Sequence, residues 1–447
     1  SQHLIPTAPN LMAEQAGRKL LNASSPDELA QILQDEPPFN AAYAKCQAMP
    51  MRMAMTLSTA LAMNQRLLEL DLVVDSSSAL ALQGIAQNAT LRTLSLHATH
   101  LGTGGELAVA VKEILRKNAT LQTLRLDMDG SNLCERKGVA LAEALQQNAS
   151  LRSVDISTRH TRIGDGTGVA LAEALWVHDV LRHFGWAADG TTISDRSGTT
   201  LAQALQQNMG LESFRFSALA TELSDESGLA MAEAVATARS LQVFSLNVSE
   251  TRLCDVTGQA LAASLQGKHL RSFAFTGNFC GISDETCQAM ANAIGTTSLS
   301  FEFIALHLFI SEATSLKLRW ARENAGVEIN FQVCQLDGGA FTPRQAIQEA
   351  KDVHSGLGEC PMTPLSSTWY ARRANWAMSA IPGKLRTTDL PSTPCDGLGA
   401  MEREHGDAFK SKLSDSLSET DCGEEAVTIS STDTPAWESL HGISASP

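Results

Sequence analysis

The sequence predicts an α/β solenoid, in which strand–loop–helix units stack so that a parallel sheet lines one side and helices cover the other. Three observations predict it. An apolar residue that opens a strand-like segment recurs at Leu67, Leu91, Leu121, Leu151, Leu181, Leu211, Leu241 and Leu270. Six of the seven steps between these positions are 29 or 30 residues, and the first is 24. Each interval holds one strand pattern and one helix pattern, and so short a unit can close its core only by stacking on its neighbours.

The strand pattern places apolar residues at the first, fourth and sixth positions. Residues 121–126 read LQTLRL, so Leu124 and Leu126 alternate with polar residues, as a strand with one buried face requires. We expect the side chains between and just after these apolar positions to line the open face of the sheet. The pattern also predicts a group of aromatic core residues, namely Phe184, Trp186, Phe214, Phe216, Phe273 and Phe275.

An acidic residue precedes each helix pattern, at Asp165, Asp195, Asp225, Asp255 and Asp284. We expect its carboxylate to accept amide protons from a starting helix. The helix itself reads LAEAL at 141 and 171 and LAQAL at 201, with inward-facing Leu and small Ala residues that allow close helix packing. Five helices are predicted to end in a left-handed residue that reverses the chain, namely Asn64, Asn88, Asn118, Asn148 and Asn208.

A strand, loop and helix every thirty residues resembles the ribonuclease-inhibitor type of leucine-rich repeat, which also occurs in NACHT receptors and in Ran GTPase-activating proteins. The resemblance covers residues 51–333. It implies a horseshoe with a concave parallel sheet and outer helices. The family has Asn three residues after the last strand Leu, whereas this chain has Asp129, Arg159 and Asp189 in successive units. The departure leaves the geometry of this turn open.

The pattern divides the chain into three segments. Residues 1–50 are predicted to be a flexible segment with a capping helix at 25–34. Residues 51–333 form the solenoid of about nine to ten units, which ends in a last helix and strand within 311–331. Residues 334–447 are rich in Ser, Thr, Pro, Gly and acidic residues, a composition that predicts a mostly disordered tail.

One stretch of the tail is a candidate docking motif. The segment STWYARRANWAM places Trp369 and Trp376 seven residues apart, with Arg372 and Arg373 between them. Seven residues are two helical turns, so both indoles would share a face of a docking helix. The alternative is a loosely collapsed piece of tail.

Composition and motifs exclude several functional classes. The chain has 34 Lys and Arg against 49 Asp and Glu, a net charge of −15, so neither nucleic acid nor a membrane is an expected partner. We find no phosphate loop, zinc-ligand spacing or nucleophile elbow, so no catalytic residue, cofactor or metal site is predicted. Nine cysteines without a C-x-x-C pair and no signal-peptide pattern indicate a cytoplasmic protein.

The candidate binding site is the concave face of the predicted sheet. Its charged and imidazole side chains are Glu69, Asp71, His97, Arg125, Asp127, Asp155, His183 and Arg215. Carboxylates are concentrated in the first half of this set, so we expect a protein partner with basic groups. The leading hypothesis is a non-enzymatic scaffold that binds a protein through this face, the tail, or both. A GTPase-activating protein is an alternative that rests on the resemblance alone, and a secreted effector or pattern-sensing receptor fragment is another.

Overall fold

The strands of the molecule form one sheet in chain order. The computed structural model describes residues 20–23, 25–34, 40–98, 104–266, 270–294, 299–324 and 329–335. Within them, twelve strands lie side by side, and each pairing is parallel. The strands are β1 (Leu20–Ala23), β2 (Ala41–Cys46), β3 (Glu69–Val74), β4 (Thr93–Ala98), β5 (Thr123–Asp127), β6 (Ser153–Ser157), β7 (His183–Ala187), β8 (Ser213–Ser217), β9 (Val243–Asn247), β10 (Ser272–Thr276), β11 (Ser300–Ile310) and β12 (Ile329–Gln335). The predicted α/β solenoid is confirmed.

A helix returns the chain from each strand to the next, and consecutive helices contact one another. The helices are α1 (Pro26–Gln34), α2 (Met51–Met63), α3 (Ala79–Gln87), α4 (Gly104–Lys117), α5 (Glu135–Gln147), α6 (Asp165–Val177), α7 (Asp195–Gln207), α8 (Asp225–Thr237), α9 (Asp255–Ser264), α10 (Asp284–Ile294) and α11 (Glu312–Asn324), with a short 3-10 turn at Ser76–Ser78. Strands pack about 4.8 Å apart and helices about 8–10 Å apart. This difference in spacing favours curvature with the sheet on the inner side.

Two strands, β1 and β2, precede residue 51 and belong to the same sheet, although the sequence pattern did not predict them. β2 pairs with β3 and places Tyr43 opposite Asp71. It reads AAYAKC, with small Ala where the following repeats carry larger apolar residues, so its apolar pattern is weak. The helix predicted at 25–34 is observed as α1, and the Ser25 hydroxyl accepts a hydrogen bond from the Glu28 amide at 3.2 Å.

The core changes composition along the solenoid. Leu70, Leu94 and Leu124 fill the fourth strand position in β3 to β5, and Phe fills it from β7 to β11. The rings stack across neighbouring strands, with centroid separations of 6.0, 6.1, 5.8 and 5.5 Å from Phe184 to Phe301. Such pairs add roughly 0.5–1.5 kcal/mol each beyond their burial. The predicted aromatic core residues are all buried, as expected.

The Asn residues at the helix ends form a ladder of hydrogen bonds. Asn148 has φ −84° and ψ 118°, which is extended, so the prediction of a left-handed residue is wrong. Its Nδ2 donates to the carbonyls of Leu115 and Asn118 at 2.8 and 3.1 Å. Its Oδ1 accepts the amides of Ser150 and Leu151 at 2.9 and 3.0 Å. The same four contacts are made by Asn88, Asn118 and Asn208. The side chain ties each turn to the preceding repeat, and no left-handed residue is needed.

A second ladder joins the helix starts at the other edge of the solenoid. The Asp165 carboxylate accepts the Ser194 amide at 2.8 Å and the Ser197 hydroxyl at 2.5 Å. It therefore caps α7, the helix of the following repeat, rather than α6, which it begins. The expected acceptance of amide protons is observed, but the acceptor and the helix belong to different repeats. Gly168 admits this contact, since a Cβ there would lie 2.2 Å from the Ser197 hydroxyl.

Candidate partner-binding face of the sheet

The open face of the sheet, called the sheet face below, holds all eight predicted binding residues. The strand register places them in three columns that run across the strands. Glu69 and His183 lie in the first column, and His97 and Asp127 lie in the third. Asp71 is buried, His183 and Arg215 are exposed, and the other five residues are half-buried. The central column holds Asp71, Arg125, Asp155 and Arg215.

His97 lies between two carboxylates of this face. Its Nε2 is 3.3 Å from Asp71 Oδ1, an ion-pair contact without the geometry of a hydrogen bond, and its Nδ1 is 3.6 Å from Asp127 Oδ2. Asp127 and then Asp71 raise the pKa of His97 to about 9, against the opposing effect of burial. The ring is therefore a cation at neutral pH, and it offsets part of the charge of both carboxylates. Burial tends to raise the pKa of Asp127, but its contact with His97 lowers it below the ordinary value.

A second row of charged residues lies in the turns that come just after the strands. These are the turns whose geometry the sequence did not predict. Arg159 Nε lies 3.0 Å from Asp189 Oδ2, and its Nη1 lies 3.6 Å from Asp129 Oδ2. The carboxylates also accept backbone amides of the next turn, Arg159 to Asp129 and Leu219 to Asp189, each at 2.9 Å. Asp therefore serves at two of the positions where the resemblance implied Asn, because one carboxylate oxygen is enough to accept the amide.

Three charged residues of the central column have no ion-pair partner in the described part of the chain. They are Arg125, Asp155 and Arg215. Asp155 leans over β7, because a Cβ at Gly185 would lie 2.3 Å from its Oδ1. The two arginines stand three strands apart, about 14 Å. This set can receive side chains of either charge from a bound molecule.

Sequence reasoning missed two groups beside this face. Tyr43 stands next to Asp71, and burial, followed by the Asp71 charge, raises the pKa of its hydroxyl. The alternation of small and larger residues in AAYAKC was the signal that could have found it. Arg159 was seen as a departure from the family pattern, but its pairing with two carboxylates was not. The tail motif residues Trp369, Arg372, Arg373 and Trp376 lie outside the described residues.

Metal-binding clusters and membrane-spanning helices are absent from the described residues. The described residues contain no group of three His, Cys, Asp or Glu side chains arranged to hold a metal ion. None of the helices described here combines the length and the apolar character that crossing a bilayer demands.

Comparisons with known proteins add little to this picture. No protein-family model matches the chain, and no curated protein matches it either. Solved structures do match, among them "Leiomodin-1 Actin-Binding Site 2 (ABS2)" with 16% sequence identity, over 31% of this chain and 77% of that one. The TM-score of that match is 0.26, which is too low to support any argument. The repeating strand–helix unit and its single parallel sheet define an α/β solenoid on their own.

Proposed function

We propose that the chain is a non-enzymatic scaffold that binds a protein partner on the sheet face. The observation that carries this proposal is the column of Arg125, Asp155 and Arg215, in which three charges within four consecutive strands, β5 to β8, have no ion-pair partner among the described residues. Charges arranged in this way select a partner with a complementary arrangement and speed its encounter. The sheet offers a wide surface for it, since twelve strands at about 4.8 Å spacing span roughly 50 Å.

We also propose that the repeats are of the ribonuclease-inhibitor type. Support comes from the regularity of the unit, because α5, α6, α7 and α8 each have 13 residues. A full helix in every repeat is what the resemblance implies.

The charge of the partner follows from which carboxylates are already in use. Asp71 and Asp127 share His97, and Asp129 and Asp189 share Arg159. Asp155 is the carboxylate of the central column that remains for a basic group, and Arg125 and Arg215 remain for acidic groups. The proposed partner therefore presents a basic residue flanked by acidic ones, a refinement of the expectation of a basic partner.

The test is a triple charge reversal, Arg125→Glu with Asp155→Arg and Arg215→Glu. Asp71 and Asp127 are left intact, because reversing either would disturb the His97 contacts. Proximity labelling in the native cell identifies partners, and calorimetry with the purified partner measures affinity. We expect the triple variant to bind at least about tenfold more weakly, a loss of about 1.4 kcal/mol.

The control is Arg162→Glu with Arg252→Glu, two exposed arginines of the loops between strand and helix, and it should bind like the unchanged protein. A further variant that ends at residue 335 tests the tail motif. Partners that bind equally well to the triple variant and to the shortened chain would contradict both parts of the proposed function.

A further inference from the structure

One helix end departs from the pattern that its neighbours follow. The segments at successive helix ends read RKNAT at 116–120, QQNAS at 146–150, WVHDV at 176–180 and QQNMG at 206–210. Equivalent helix ends of neighbouring repeats can therefore be compared residue by residue. The third segment differs from the first two at each of its five positions.

The departure exposes apolar side chains at the edge of the solenoid. Trp176 is 54% exposed and Val177 is 56% exposed, where the neighbouring repeats carry Gln. Met209, at the end of the next helix, is 74% exposed. Together with half-buried Val180, these residues form what we call the edge patch. Trp and Met are enriched in the buried centres of protein interfaces.

The same departure interrupts the Asn ladder. His178 replaces the ladder Asn and is buried, with 4% of its surface exposed. Its ring lies near the Asn148 carbonyl, but neither ring nitrogen makes a hydrogen bond. Stability therefore does not explain this segment, because an unbonded buried polar group and exposed apolar groups both oppose it. Natural proteins break such local rules mainly at functional or strained sites.

A groove adjoins the edge patch. It has a volume of about 280 Å³, and its lining includes Val180, Arg92, Gln122 and Arg152. This is smaller than the roughly 300–1,000 Å³ of small-molecule pockets, and it suits the side chains of a peptide. Neither Arg92 nor Arg152 has an ion-pair partner within the described ranges, whereas Arg182 lies 3.9 Å from Glu212. Asp179 is an exposed carboxylate of this edge, and the two free arginines outweigh it.

We propose that this edge binds an extended acidic segment of a partner protein, with acidic side chains at Arg92 and Arg152 and an apolar side chain on the edge patch. Arg92 and Arg152 stand two strands apart, about 10 Å. Three residues of an extended polyproline II chain rise about 9 Å and return to the same face, so the segment carries two acidic residues three positions apart. The apolar residue follows three positions later on the same face, about 9 Å beyond Arg152, because the edge patch lies one to two strands beyond Arg152, about 5–10 Å. This surface is distinct from the sheet face and adds to the proposed function.

The test is a selection of peptides from a random library displayed on phage, with the full chain as bait. The strongest peptide is then synthesised with a fluorescent label, and its affinity is measured by anisotropy. One variant is Trp176→Gln with Val177→Gln, which installs the residues that stand at the equivalent positions 146–147 and 206–207 and so preserves the fold. A second variant is Arg92→Glu with Arg152→Glu. The control is Arg162→Glu with Arg252→Glu.

We expect the selected peptides to combine acidic residues and an apolar residue at the stated spacing. Their affinity should fall at least about tenfold in each of the two edge variants, a loss of about 1.4 kcal/mol, and stay unchanged in the control. The proposal is overturned by peptides without acidic residues, by equal binding to all variants, or by no enrichment. It is also overturned if sedimentation shows a dimer that the Trp176→Gln, Val177→Gln variant dissociates, since a second copy would then occupy the edge. None of these variants alters the sheet face, so each proposal can fail without the other.

Discussion

The helix ends at Asn148 and His178 lie in consecutive repeats and share burial and an extended backbone, yet they differ in their hydrogen bonds and in the residues beside them. Asn148 is buried with its amide group fully hydrogen-bonded, whereas His178 is buried with both ring nitrogens unbonded. Polar Gln147 precedes the first and exposed Val177 precedes the second.

The rest of the two repeats is alike. Leu151 and Leu181, which follow the two turns, are both fully buried, and both repeats carry an acidic cap for the next helix, Glu135 and Asp165. The inner faces of strands and helices hold the stack together. A helix end can therefore vary without losing the fold, and this freedom makes it a place where function can be added.

The largest effect on the free energy of unfolding is expected at the buried Leu that both repeats share. Leu151→Ala and Leu181→Ala should each lower the free energy of unfolding by roughly 2–5 kcal/mol, because each removes a side chain buried between units. Gln146→Ala, on the outer helix face, should change it by about 0.5 kcal/mol or less. Urea denaturation followed by circular dichroism measures all three. Equal losses from Leu and Gln would show that the assigned register is wrong.

The next largest effect is expected from removing the ladder contacts of Asn148. Asn148→Ala removes four hydrogen bonds, two donated to carbonyls and two accepted from amides, and each contributes about 0.5–1 kcal/mol net. We expect a total loss of roughly 2–4 kcal/mol in urea denaturation. Gln147→Ala is the adjacent, exposed control. A loss no greater than that of the control would mean that the ladder does not stabilise the turn.

The carboxylate ladder provides a comparison at the opposite edge. Burial alone would raise the pKa of Asp165, but hydrogen bonds from Ser194 and Ser197 lower it below its ordinary value. A lowered pKa stabilises the fold above the ordinary Asp value near 3.9, and this contribution is lost as pH falls through that region. Asp165→Asn should cost roughly 1.5–3 kcal/mol at neutral pH, and its stability should fall less between about pH 5 and 3. Parallel pH profiles for the variant and the unchanged protein would contradict this.

Placing Asn at position 178 tests the same contacts by adding them where they are absent. His178→Asn supplies the amide that the neighbouring turns use, so we expect a gain of about 1 kcal/mol. Burial lowers the pKa of His178, so the folded state favours the neutral ring and loses stability as pH falls below the ordinary His value near 6.5. The variant should lack this part of the pH dependence. Thermal melting between about pH 7 and 5 is the measurement, and a destabilised variant would argue against the assigned role of the turn.

The smallest expected change concerns His97, whose pKa shift is opposite to that of His178. Nitrogen NMR of labelled histidine should show His97 titrating at about 9, while His178 stays neutral at pH values where an ordinary histidine is charged. Asp127→Asn and Asp71→Asn should each bring the pKa of His97 closer to the ordinary value, since both carboxylates raise it. The stabilising contribution of His97 is complete below about pH 6.5 and is lost as pH rises through about 9. A pKa of His97 near the ordinary value would show that His97 does not form these ion pairs.

The sequence predicted the strands from β3 to β10 because Leu, Val and Phe recur there at fixed spacing, and it failed at β2 because Ala leaves little apolar signal. It identified Asp165 as a capping residue but assigned the wrong helix. It also placed Asp71, His97 and Asp127 on one face without predicting that they meet. The last two errors share a cause, because each concerns contacts between residues about thirty positions apart.

The sequence by itself determined the order, type and spacing of the units, since hydrophobic periodicity and small helix residues act within one repeat. The tertiary structure decided which side chains of neighbouring repeats come within hydrogen-bonding distance, and so which charges are neutralised and which remain available. The physical reason is range. Periodicity is a property of consecutive residues, whereas a hydrogen bond or an ion pair depends on a few ångströms of separation that only the stacking of one repeat on the next sets.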